Sequence, residues 1–302
     1  VSGHFTALLN DTAAHGLAVR KFCDHVVQEY GNEALAAIEW NVRKDKESKE
    51  ISRFYSITSI GLLVAPLKKI LDDYGYYLLN IVGLQQKLGE ADKEFDLASL
   101  TYAQKKPIEE SLQKNVMPIL DAIFFKTSEY ARLLEAFKSQ LEWLTQAHQA
   151  APAAEKSKYS KYKASIVDYR PLPKKSELSD GVDQIRGEFA QKIAQSYAQE
   201  GGVAPVVQKA VFQRGMFEAL YSLLEIGKEF NLEPKKLGIA FSGLLDEALK
   251  EKAVAFHPDR LYLQNLLFDA SVVLINVNAY RAVGNLILSF LGRKDVAEKF
   301  AD

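Results

Sequence analysis

Apolar residues recur along most of this 302-residue chain at alternating steps of three and four, the spacing that gathers side chains on one face of an α-helix. Phe5, Leu8, Thr12, His15, Val19, Phe22 and Val26 make the first stripe; Leu67, Ile70, Tyr74, Tyr77, Ile81, Leu84 and Leu88 make the second. Both have the heptad rhythm of a helix seam, and two seams predict helices lying side by side. A third stripe opens at Pro107 and passes through Leu112, Val116, Ile119, Ile123, Tyr130, Leu134, Phe137, Leu141 and Leu144 toward His148. As one continuous helix of about 40 residues it spans about 60 Å. Pro118 is expected to kink it rather than end it, because the periodicity resumes at once.

The pattern stops between about 150 and 180, where three prolines and clustered lysines predict an exposed connection with a short extended piece at Ile166 to Tyr169. Helical stripes then return. Val182, Ile185, Phe189, Ile193 and Tyr197 form one, with Gly201-Gly202 as its stop. Pro205 opens the next, through Val211, Phe217, Leu220 and Leu224 to a turn at Asn231 and Pro234. Another runs from Pro234 to His257, and a last one from Pro258 to Gly292. The fold class read from this is all-α: an elongated antiparallel bundle of about seven or eight helices with coiled-coil-like seams. Its parts are an N-terminal long-helix bundle (1–150), a basic Pro/Lys/Tyr-rich connection (151–180) and C-terminal helices (181–302) packed with the first part.

One stretch stands out from the amphipathic rhythm. Phe54 to Leu67 is uncharged throughout, and Phe54, Ile57, Ile60, Leu62, Leu63 and Val64 make it a candidate for a membrane-entering or partner-binding helix. Its 14 residues reach about 21 Å as a helix, short of the roughly 30 Å of hydrocarbon in a bilayer. Ser56, Thr58 and Ser59 break its apolar surface and Pro66 marks a bend. The expectation is a central helix covered on most sides.

Composition narrows the function classes. A formal net charge of −1, from 38 basic and 39 acidic residues, supplies no overall field for nucleic acid, and no basic recognition helix or aromatic sheet motif is present. Hydrophobic content of 48% suits a globular core. The single cysteine, Cys23, excludes an internal disulfide framework and a multi-thiolate zinc site. Val1 in place of Met reads as export processing or trimming, and export, to periplasm or exterior, is preferred over the cytoplasm.

Catalytic and metal motifs are missing: no Glu-x-x-His pair, no His-Glu-x-x-His, no phosphate loop. Asp72-Asp73 lacks the third carboxylate that would complete a Mg²⁺ site and reads as solvated. Gly238 and Gly243 read as packing glycines. Cys23 and His25 point about 100° apart per residue on a helix, so Cys23 reads as a core filler. Thr12 and His15 are polar residues in a seam, where such groups set register or partner at some cost in stability; a ligand or pH-sensing role for His15 is the alternative. Arg281 either lies at the solvent edge of the last helix or meets an acidic partner from elsewhere. Lys156, Lys158, Lys161 and Lys163, interleaved with Tyr159 and Tyr162, are the candidate surface contact, facing lipid headgroups or an acidic protein rather than nucleic acid.

The preferred reading is a non-enzymatic helical protein that binds a protein partner, a second copy of itself or an apolar ligand, with no cofactor. Two alternatives stand beside it: the soluble form of a membrane-acting α-helical protein such as a pore-forming toxin component, and an enzyme whose site is assembled from separate helices.

Overall fold

The structure, a computed structural model, describes residues 14–39, 56–79, 102–167, 180–202, 205–250, 268–269, 272–273 and 277–292. It is all-α, with nine helical runs among the described residues. These are α1 (Ala14–Ala36), α2 (Ile60–Leu79), α3, α4 (Ser128–Ala150), α5 (Ala153–Val167), α6 (Asp180–Gln199), α7 (Ala210–Glu229), α8 (Pro234–Leu249) and α9 (Val277–Ser289). The run α3 is composite: α-helical Tyr102–Ser111, a π-helical turn Leu112–Val116, α-helical Met117–Asp121 and a second π-helical turn Ala122–Lys126. The only strands among the described residues are two-residue pairs, β1 (Ile38–Glu39) parallel with β2 (Thr58–Ser59) and β3 (Phe268–Asp269) antiparallel with β4 (Val272–Val273).

Two compact units interleave along the chain. The first comprises Val1–Leu8, Cys23–Gly61 and Ala131–Gly202; the second comprises Leu9–Phe22, Leu62–Tyr130 and Val203–Asp302.

In the first unit the core is aromatic. The ring of Phe189 on α6 stands edge-on to Phe137 of α4 at 5.8 Å and to Tyr162 of α5 at 5.6 Å, a geometry that adds about 0.5–1.5 kcal/mol per pair beyond burial. Ile166, one turn after Tyr162, is buried with it, and this i, i+4 pair makes the region expected to be an exposed connection into a helix. Lysines flank the pair on the remaining faces and conceal the stripe. The expected extended piece at Ile166 is therefore helical as far as Val167. The stop at Gly201-Gly202 is as expected: Gly201 takes φ +79°, and the N–H of Gly202 reaches the Tyr197 carbonyl at 2.9 Å, closing the helix in a Schellman motif.

The uncharged stretch is not one helix. Ile57 donates its N–H to the Ala37 carbonyl at 2.9 Å, Thr58 and Ser59 pair with Ile38 and Glu39, and the helix begins only at Ile60. The β-branched pair Ile57-Thr58 suits extended backbone. Ile57, Ile60 and Leu63 are fully buried, whereas Leu62 and Val64 are half-buried. Pro66 does not end α2. Phe54 lies outside the described residues, as do Phe5, Leu8 and Thr12 of the first seam and Ile81, Leu84 and Leu88 of the second.

In the second unit, Phe22, Tyr130 and Phe217 gather around Phe124, with ring centroids 5.3–6.3 Å away. The expected 40-residue helix breaks here. It is already helical at Tyr102, ahead of Pro107, and a π-helical turn precedes Pro118, with the Met117 N–H reaching back five residues to Leu112. Thr127 then leaves the helix at ψ 128°. The break is stabilised by polar groups: the Ala122 carbonyl accepts from the Thr127 N–H (3.1 Å), the Thr127 hydroxyl (3.2 Å) and the Ser242 hydroxyl (2.8 Å). Asp246 of α8 accepts from the Ser128 N–H at 2.7 Å and so caps α4 from another helix. Periodicity survives the break, which is why the sequence pattern does not reveal it.

Two more boundaries differ from expectation. Lys250 leaves α8 at ψ 140°, before His257, which lies outside the described residues. The stretch expected to be helical from Pro258 instead contains β3 and β4, with β-branched Val272 and Val273 in an extended pair. Helices α7 and α9 meet through glycine: a Cβ on Gly215 would lie 2.4 Å from that of Val283 and 2.8 Å from the Tyr280 carbonyl. Gly238 likewise admits the backbone of Ile119, whose Cα would lie 2.8 Å away.

Alanine substitutions should therefore split by site. Gly215→Ala collides with backbone that no rotamer relieves and should lower stability by about 1–3 kcal/mol. Gly187→Ala, in α6 with nothing within 4 Å, should raise it by about 0.5–1 kcal/mol. Urea unfolding midpoints check both; equal effects would contradict the close approach.

Candidate functional site

The C-terminal end of α7 is closed by local rules that also shape a cleft. Asn231 adopts φ +51°, a left-handed conformation that asparagine tolerates better than most residues. The Leu232 N–H then reaches the Gly227 carbonyl at 2.8 Å and the Asn231 N–H reaches Lys228 at 3.3 Å, a second Schellman closure. This leaves the Leu232 carbonyl directed at α2, where the Tyr77 hydroxyl donates to it at 2.6 Å. Tyr77 gains access because Gly227 has no side chain: a Cβ there would lie 2.7 Å from the Tyr77 oxygen.

Helix α3 supplies the opposite wall. Asn115 donates through Nδ2 to the Leu78 carbonyl at 2.7 Å, and the Ser111 hydroxyl donates to the Leu79 carbonyl. Carbonyls in the last described turn of α2 thus receive side-chain donors from α3. Between these supports lies an open cleft of about 700 Å³, within the usual range for small-molecule sites. Tyr76, Tyr77 and Leu79 of α2 line it, with Ser111, Lys114 and Asn115 of α3, and with Lys228 and residues 231–234 from the turn leading into α8. Tyr76 is 43% exposed. Burial pushes the Tyr77 hydroxyl above the usual phenol range, so it stays protonated and donates to Leu232.

Beside the cleft, α2 and α7 are joined by a charged aromatic cluster. Tyr221 donates to Asp73 at 2.6 Å and stands edge-on to Tyr74 at 4.9 Å. Lys69 sits 3.9 Å above the Tyr221 ring and 3.2 Å from Glu218, and Lys228 lies 5.7 Å from the Tyr74 centroid. These cation–π contacts are each worth about 0.5–1 kcal/mol where exposed. The hydrogen bond to Asp73, followed by burial, holds the Tyr221 hydroxyl above the ordinary phenol range. Asp72 pairs with Lys68 at 3.1 Å. The aspartate pair expected to be solvated is exposed, and Asp73 serves as an acceptor between helices.

The residues singled out by sequence are scattered. On α5, Lys156 and Lys161 are exposed, and Lys158, Tyr159 and Lys163 are half-buried. Tyr162 is fully buried against Phe189, which removes it from any surface contact; its i+4 partner Ile166 draws it into the core. His15 is half-buried on α1. Arg281 is exposed, while Ala279, Tyr280, Val283 and Ile287 form the buried face of α9; it lies at the solvent edge. Cys23 is buried, and burial with the nearby Asp24 pushes its thiol up to about 12, as suits a core filler.

No helix among the described residues is long and apolar enough to cross a membrane, and no group of three or more His, Cys, Asp or Glu among them is placed to hold a metal. The cleft residues were missed because their signal is weak: Asn231 and Pro234 mark only a turn, and only Tyr77 belongs to a seam. No family model, curated protein or solved structure matches this chain.

Tyr77→Phe should cost about 0.5–1.5 kcal/mol by removing the hydrogen bond to Leu232. Gly227→Ala displaces the same hydroxyl, so the double variant should lose less than the sum of the two; strict additivity in urea unfolding would show that Gly227 does not act through Tyr77.

The Tyr221–Asp73 bond carries a pH signature. Because the folded state holds the Tyr221 proton more tightly, its contribution is complete below the unfolded phenol value of about 10 and is lost as pH rises beyond it. The Tm of the unaltered protein should therefore fall more steeply above about pH 10 than that of Tyr221→Phe, and parallel curves would exclude the linkage.

Proposed function

We propose that this is a binding protein, non-enzymatic in its action, that takes a ligand into the cleft between the last described turn of α2, the end of α7 and the side of α3. The reading is carried by one observation: the cleft walls are held by Tyr77 on Leu232, Asn115 on Leu78 and Ser111 on Leu79. A site whose supports are already in place loses little conformational entropy on binding, which favours affinity. Its mixture of aromatic rings, lysines and amides suits a small molecule or a short side-chain segment of a partner, oriented by a few polar contacts over an aromatic wall. The exposed lysines of α5 are, in the same proposal, a separate contact for an acidic partner surface.

Protein-observed NMR with a fragment collection tests this directly. Binders should shift the side-chain amide signals of Asn115 and Asn231 together with the backbone of Lys228. If no fragment moves these signals while others move elsewhere, the cleft is not the site.

A further inference from the structure

We infer that the ligand class of this cleft is a small anion bearing an aromatic or similarly planar apolar portion; the inference rests on the cleft being the binding site. Two lysines, Lys114 from α3 and Lys228 from α7, and one carboxylate, Glu233, are among the lining residues, so the walls carry a net positive charge of one. Lys114 is exposed and projects from a π-helical turn. Lys228 lies over the edge of the aromatic cluster at 5.7 Å from Tyr74, so its ammonium borders both the rings and the cleft. The cleft also receives the N-terminal turn of α8, whose Pro234 is in its wall. The only acidic group at that end is the N-cap Glu233, whose side chain makes no capping bond, so the positive end of the helix dipole offsets part of the Glu233 charge.

Other polar groups in the walls are engaged in the fold. The hydroxyl protons of Tyr77 and Ser111 and the amide of Asn115 are donated to backbone carbonyls. The lysines therefore provide the principal charge recognition. Tyr76, part-exposed at the rim, and the ring of Tyr77 offer apolar faces on which a planar group rests. A cationic ligand would meet two like charges, and a neutral one would leave the lysines without a role in affinity.

The test compares two probes of similar ring structure, anilinonaphthalene sulfonate and the uncharged N-phenylnaphthylamine, by fluorescence titration and by the shifts of the Asn115 and Asn231 amides. The sulfonate should bind with a one-to-one limit, about tenfold or more tighter than the neutral probe, and weaken as salt rises. Lys114→Glu and Lys228→Glu should each reduce its affinity about tenfold or more, with little effect on the neutral probe. Both lysines are exposed; a retained cooperative urea transition verifies that the variants fold, with the Lys228→Glu midpoint lowered only as far as the loss of its contact with Tyr74 requires. If the neutral probe shifts the cleft amides as strongly and the charge reversals leave sulfonate binding unchanged, the anionic class is overturned while the binding site stands. If neither probe, nor any fragment, moves those amides, both the class and the site fall.

Discussion

The hydrogen bond from Tyr77 to the Leu232 carbonyl is the constraint on which the cleft depends. It joins a residue in the middle of the chain's second apolar stripe to a turn 155 positions later, and it forms only because three local conditions coincide. Asn231 must enter the left-handed region so that the backbone reverses after α7. Gly227 must lack a side chain, since a Cβ would lie within 2.7 Å of the hydroxyl. Leu237, whose Cδ2 would be 3.2 Å from the same Cβ, must pack on the other side of that gap. Each condition is a small term, on the order of 1 kcal/mol, yet together they hold α2, α7 and α8 in one arrangement.

The helical class and the burial of most described stripe positions were legible in the sequence, because burial imposes the period of the helix on apolar residues regardless of what breaks the backbone. Val19, Phe22, Ile70, Leu112, Ile123, Phe137 and Leu144 are all buried as their stripes require. That same indifference hid the ends of elements. Thr127 interrupts the long third stripe without disturbing its spacing, because the groups that stabilise the break, Ser242 and Asp246, come from a helix more than a hundred residues away. On α5 the error ran the other way: two buried residues, Tyr162 and Ile166, suffice to anchor a helix when the neighbouring helix offers Phe189, but two apolar positions among lysines do not register as a stripe. The cleft was nearly invisible, since what builds it are side chains donating to distant carbonyls, and no spacing rule encodes such partners.

Glycine shows the limit of sequence reading more sharply. Gly215, Gly227 and Gly238 lie within or at the end of helices, where glycine lowers helix stability by about 1 kcal/mol relative to alanine. In each case the structure supplies a compensating contact: the Tyr280 carbonyl and Val283, the Tyr77 hydroxyl, and the Ile119 backbone. Gly187 has no such neighbour. A glycine in a helix thus reports a close approach only when something occupies the space a methyl would take, and its sequence context does not say which case applies.

The π-helical turn at Leu112–Val116 links these observations to the chemistry of the cleft. An α-helix advances about 100° per residue, so Ser111 and Asn115, four apart, face one side, and the buried pair Leu112 and Val116 lies about 100° round from them. Widening the turn so that Met117 reaches back to Leu112 shifts the phase of everything before it relative to everything after it. Val116, Met117 and Leu120 stay in the core, while Ser111 and Asn115 turn to the carbonyls at the end of α2 and Lys114 is left at the cleft. Single π-helical turns persist where their local cost is offset by a required placement of side chains. In this protein the placement does two things at once, giving the last described carbonyls of α2 their donors and leaving a cation beside the tyrosines, and that is the physical ground of the proposed site.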